Sequence, residues 1–92
     1  MMYPFITFND GTEVTFSHIM KDKNGNPTIC VYVEQWNDVH NDFDRLEFYL
    51  PDGQITEFVG FDNKTCDEHY NNLTKLKDVM FRYAEEHDPI YA

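Results

Sequence analysis

The chain has 92 residues, 41% of them hydrophobic, with eight Phe, six Tyr and one Trp; this is enough apolar bulk for one small domain with a thin stability margin. Its formal charge is −10 and its pI is near 4.5, which disfavours direct contact with nucleic acid or anionic membrane and favours basic partners. It has no run of about 18 apolar residues to span a membrane, and Met1-Met2-Tyr3-Pro4 lacks the basic start of a secretory leader.

Two cysteines, Cys30 and Cys66, show no framework spacing. They read as reduced thiols of a cytoplasmic protein, with a disulfide between them as the lesser alternative.

Residues 3–8 and 12–20 are rich in aromatic and β-branched side chains, and Asn9-Asp10-Gly11 lies between them. That pattern predicts a hairpin closed by a type I turn, with Gly11 left-handed in a bulge. Phe8 then faces Thr12, and Ile6 faces Val14. Ile6, Phe8, Val14 and Phe16 share one face, leaving Thr7, Glu13, Thr15 and Ser17 on the other. Pro4 marks the first strand as an edge.

Lys21 to Pro27, holding Asn24-Gly25, is a polar turn. Thr28 to Trp36 follows with Ile29, Val31 and Val33 on one side and Cys30, Tyr32, Glu34 and Trp36 on the other. Both sides are partly apolar, as a central strand requires. Asn37 to Asp42 is a polar loop. Phe43 to Leu50 alternates Leu46, Phe48 and Leu50 against Arg45, Glu47 and Tyr49. Pro51-Asp52-Gly53 turns the chain again, and Ile55 to Phe61 reads either as one more strand or, given Gly60, as an irregular approach to a helix.

Thr65 to His87 reads as one long amphipathic helix. Tyr70, Leu73, Leu76, Met80, Tyr83 and Ala84 fall in one arc with Phe81 at its edge, opposite Asn71, Lys75, Asp78, Arg82, Glu85 and Glu86. Thr65 and Glu68 have capping-box spacing, with Asp67 and Glu68 at the positive end of the dipole. Asp88-Pro89 stops the helix, which at ~1.5 Å per residue is roughly 33 Å long. Strands first and helix last predict an α+β fold in a single domain over 1–92. It comprises an antiparallel β-meander of four to five strands within residues 3–61, one long C-terminal helix over 65–87 packed on one face, and a tail at 88–92.

No catalytic constellation, cofactor motif or metal set emerges, so no catalytic, cofactor or metal residue is assigned. The histidines His18, His40, His69 and His87 are dispersed. Cys66 and His69 lie one helical turn apart, but two ligands without a second pair do not make a zinc site. Cys66 at a helix start is not nominated as a nucleophile, because Asp67 and Glu68 oppose its ionisation. Asp38, His40, Asn41, Asp42 and Asp44 suggest a calcium loop, yet counting from Asp38 the positions that need Gly and Glu hold Phe43 and Tyr49.

The distinctive stretch is residues 34–62, which carry eight acidic residues and one basic residue, Arg45. Glu34, Trp36, Asp38, Asp42, Phe43, Asp44 and Glu47 form the candidate partner surface. Carboxylates steer a basic protein surface, and the two aromatic rings anchor it. The plainer alternative is a solubilising surface around a buried Trp36.

The chain resembles short uncharacterised proteins of Gram-positive bacteria and their mobile elements. The resemblance rests on Phe8-x-Asp10-Gly11-Thr12, Ser17-His18-Ile19, Phe43-Asp44 leading to Leu50-Pro51, Gly60-Phe61 and Arg82-Tyr83-Ala84. It implies no activity and carries over no functional residue. In size and charge the chain is also similar to phage-encoded inhibitors of host defence nucleases.

Three functions follow as expectations. The first is a non-enzymatic module that engages a basic protein, including an inhibitor that imitates nucleic-acid charge. The second is a homo-oligomeric unit, with a homodimer as its simplest form, paired through Tyr32, Trp36 and Tyr49 on the face away from the helix. The third is a small-ligand protein or enzyme with a sheet–helix pocket near His18 or Cys30.

Overall fold

The computed structural model, which describes residues 2–87, has six strands, five of them rich in aromatic or β-branched side chains and one a short Met-Lys pairing. They are β1 (Met2–Thr7), β2 (Glu13–Ser17), β3 (Met20–Lys21), β4 (Pro27–Asn37), β5 (Asp42–Leu50) and β6 (Ile55–Val59). All pairings are antiparallel, in the order β1-β2-β4-β5-β6. The fold is α+β, β4 is central, and Pro4 sits in an edge strand. Residues 55–59 form a strand at the opposite edge, which resolves the two readings the sequence left open.

The first hairpin has the expected register. Ile6 pairs with Val14, the Phe8 amide donates to Thr12 O at 2.8 Å, and Gly11 is left-handed at φ +89°. The sequence did not reveal a bulge between Pro4 and Ile6. The extra residue, Phe5, shifts the alternation, so Tyr3 turns inward with Phe16 and is buried. Phe8 does not join the core as expected. It is half-exposed, with its ring 6.0 Å from that of His69.

Residues 12–20 do not form one strand either. β2 pairs with Val31–Glu34, and β3 pairs with Pro27–Thr28. Between them the Ser17 hydroxyl accepts from the Cys30 amide at 2.9 Å and donates to His18 O at 2.8 Å. A side chain thus takes over a ladder bond where the strand breaks.

One face of the sheet supplies most of the core. Val14, Phe16, Ile29, Val31, Val33, Leu46, Phe48 and Leu50 are buried and pack with Leu73, Met80 and Ala84 from the helices. Such a buried aliphatic or aromatic side chain contributes on the order of 1.5–3 kcal/mol.

The helical region differs from the single rod expected. It is divided into α1 (Asn63–Thr74) and α2 (Lys77–His87). The Leu76 amide donates to Leu73 O at 3.0 Å, a tightened turn that interrupts the i→i−4 ladder. Residues 74–77 contain neither Gly nor Pro, so the local sequence gives no account of the break. The start also moves. Asp62, with extended backbone, is the N-cap, and its carboxylate accepts from the Thr65 amide at 2.7 Å. Asp caps as well as Thr does, and its position three residues before the Thr65–Glu68 box wins the extra turn. Tyr83, assigned to the core arc, is half-exposed, with its ring against Tyr3 at 5.4 Å and Phe16 at 5.9 Å. The expected stop at Asp88-Pro89 and the tail at 88–92 lie outside the described residues. Among the described residues no helix is long and apolar enough to cross a membrane.

Candidate functional site

The pairing of β4 with β5 runs unbroken from Ile29↔Leu50 to Asn37↔Asp42. Strand alternation therefore fixes which way each predicted surface residue faces. Glu34 and Trp36 share the side opposite Val31 and Val33. Phe43 and Glu47 share the side opposite Leu46 and Phe48. All four lie on the sheet face away from the helices. Trp36 and Phe43 are direct partners across the hairpin, with ring centroids 5.2 Å apart at 79°, an edge-to-face pair.

This pair is open to solvent. Trp36 is 47% exposed and Phe43 43%, so the tryptophan is not buried, as the solubilising-surface alternative had it. Beyond them Asp38 and Val39 in the loop and Asp42 at the start of β5 are all exposed. The Trp36 indole Nε1 donates to Asp38 Oδ1 at 2.6 Å, which orients both groups. Asn37 Oδ1 accepts from the Val39 amide at 3.0 Å and holds the loop. Asp42 accepts from its neighbour's amide, Phe43 N, at 2.7 Å and from Arg45 Nη2 at 3.1 Å. The first of these, then the Arg45 charge, holds the Asp42 carboxyl below its ordinary range.

Asp44 departs from the predicted cluster. It has the parity of Leu46 and Phe48 and so lies on the helix side, where Asn37 Nδ2 donates to its two oxygens at 3.2 and 3.3 Å. Its carboxylate fills the space beside Gly60 that a Cβ would need. Glu34, Trp36, Phe43 and Glu47 therefore share one face, Asp38 and Asp42 lie at the hairpin end beside it with the Asp42 carboxylate drawn to Arg45, and Asp44 braces the other side. The carboxylates of the suggested calcium loop are directed to different partners: Asp38 to an indole, Asp42 to a guanidinium and Asp44 to an amide. Asn37 and Gly60, which organise the site, carried no signal in the sequence beyond being turn residues.

Further along the same face, Cys30 pairs with Tyr49, and Tyr32 with Glu47. Cys30 is buried, and burial first, with the Glu47 charge adding, pushes its thiol up from 9.0. Tyr32 is pushed up chiefly by hydrogen bonding to Cys30, and Tyr49 chiefly by the charge of that thiolate. A thiol so placed stays protonated near neutrality and is a weak nucleophile. Cys66 belongs to the sheet–helix core and is likewise raised, first by burial and then by Asp67. Both cysteines are free, one on each side of the sheet, so the disulfide alternative is not realised.

Two open depressions, of about 410 and 540 Å³, lie at the β1–β2 hairpin and beside the β3–β4 turn. Neither includes His18 or Cys30, the residues named for a sheet–helix pocket. Compared with known proteins, the chain matches no family model, no curated protein and no solved structure.

Proposed function

We propose that the chain is a non-enzymatic interaction module whose Trp36–Phe43 end docks on a basic protein surface. The observation that supports this reading is two exposed rings in mutual contact, with Glu34 and Glu47 further along the same face, Asp38 and Asp42 at the hairpin end, and Arg45 as the one Lys or Arg within residues 34–62. Exposed aromatics are the common anchors of interfaces, and surrounding carboxylates raise the rate of encounter with a cationic partner. A protein surface that normally takes a phosphate backbone meets the same charge requirement. A nucleic-acid-binding enzyme is therefore the partner class this face suits, in keeping with a mobile-element inhibitor that imitates nucleic-acid charge. Self-association of copies that each carry −10 works against charge repulsion, so the dimer is the lesser reading.

Affinity capture with the full chain tests the proposal. Captured partners should be enriched in basic proteins and should be released as salt rises. Trp36→Ala should weaken the complex by about 2 kcal/mol or more, the cost at an aromatic anchor. The pair Asp38→Asn and Asp42→Asn should slow association while leaving the fold intact. Partners no more basic than background, or binding indifferent to salt, would refute it.

A further inference from the structure

The two edges of the sheet are not equivalent. β1 carries Pro4 and a bulge at Phe5, devices that keep an edge from pairing with another chain. β6 contains neither proline nor lysine. Its one irregularity lies opposite Glu47/Phe48, and Glu57, Phe58 and Val59 keep regular register with Glu47, Leu46 and Arg45. Among the described residues β6 pairs only with β5. Its apolar side chains are open: Ile55 is 45% exposed, Phe58 42% and Val59 50%.

Charge on this edge is also unbalanced. Glu57 stands directly across from Glu47, and like charges in that position are destabilising. Arg45 Nη1 donates to Glu57 Oε1 at 3.3 Å, but the same guanidinium is shared with Asp42 at 3.1 Å. Thr56 Oγ1 gives Glu47 a neutral hydrogen bond at 3.0 Å. A second cation is what this row lacks.

We infer that β6 receives an extended segment of a basic partner, which adds a strand to the sheet. Main-chain pairing to β6 supplies the attachment. On the outer face a Lys or Arg of that segment lies beside Glu57 and Glu47. On the helix side its alternate apolar residues cover Ile55 and Phe58, whose partners Phe48 and Leu46 are in the core. A second copy of this chain fits poorly, because antiparallel two-fold pairing centred on β6 sets Glu57 against Glu57. The inference rests on the proposed basic partner and adds a second contact to it, distinct from the Trp36–Phe43 end.

The test is amide hydrogen exchange of the full chain, read residue by residue, with a short capped peptide in which valine and lysine alternate. With peptide at about ten times its dissociation constant, exchange of the residue 55–59 amides should slow about tenfold. The same peptide N-methylated at alternate residues should lose this protection, and Glu57→Gln should weaken it. Unchanged exchange of β6 up to millimolar peptide overturns the inference. If the peptide instead perturbs only the Trp36–Phe43 end, strand addition fails while the basic-partner reading stands. A valine–glutamate peptide that protects β6 equally well overturns the charge basis of both. Protection of β6 in a dimer formed without peptide overturns the choice of occupant.

Discussion

Gly60 is a single residue on which the inner side of the site depends. It ends β6 at φ +88°, and the Asp44 carboxylate occupies the place of its missing Cβ. An L-residue in that left-handed conformation costs about 1–2 kcal/mol, and here it must also displace Asp44 from Asn37. Gly60→Ala should therefore lower stability in urea by at least about 1–2 kcal/mol, with an unchanged m-value if the native state stays compact. The chemical shift of the Asn37 side-chain amide should move with it. A variant as stable as the parent would mean that Asp44 and Asn37 do not brace the hairpin. Trp36 shows the complementary point. Its polarity and size do not decide its exposure; the face it occupies does, since Val33↔Leu46 faces the helices and is buried, whereas Trp36↔Phe43 faces away from them and is not.

Among the elements, those with the strictest alternation were the most legible. Ile29, Val31, Val33, Leu46, Phe48 and Leu50 declare their buried side without help from the fold. The inward turn of Asp44 was legible too, because it shares their parity. The interruption of the helix was not, because residues 74–77 carry no helix breaker; nor were the bulge at Phe5 and the break after Ser17, because each depends on a partner in another strand. Exposure of β6 was not legible either: Ile55 and Phe58 pair with the core residues Phe48 and Leu46, yet both are open to solvent. The helix start was a competition between two caps, and its outcome carries a pH signature. The Thr65 amide, first among the causes, holds the Asp62 carboxyl below its ordinary 3.8. A lowered folded-state pKa adds stability that is complete above the unfolded value and is lost as pH falls through the folded one. Asp62→Asn keeps a capping oxygen without the charge. Its deficit relative to the parent should be small and constant near neutrality, and should close as pH drops below 3.8. Thermal midpoints across that range would show it, and a deficit that persists in acid would assign the effect to side-chain geometry rather than charge.

Across the whole molecule, charge acts on folding and on binding with opposite signs. The chain carries −10, with Lys and Arg numbering seven against seventeen Asp and Glu. Folding concentrates these carboxylates, so self-repulsion opposes the compact state. Among the described residues the ion pairs are Arg45 with Asp42 and with Glu57; they are partly exposed and contribute little in return. Salt shortens the Debye length from about 30 Å at 0.01 M to about 8 Å at 0.15 M, which relaxes repulsion across a domain of this size. The thermal midpoint should therefore rise by a few degrees over that range. Binding to a basic partner should weaken over the same interval, because the attraction that steers it is screened by the same ions. Measuring both in one titration separates loss of a complex from loss of the fold. A midpoint that falls with salt would mean that attractive pairs outweigh repulsion, and the acidic face would then be held by internal partners rather than left open for an external one.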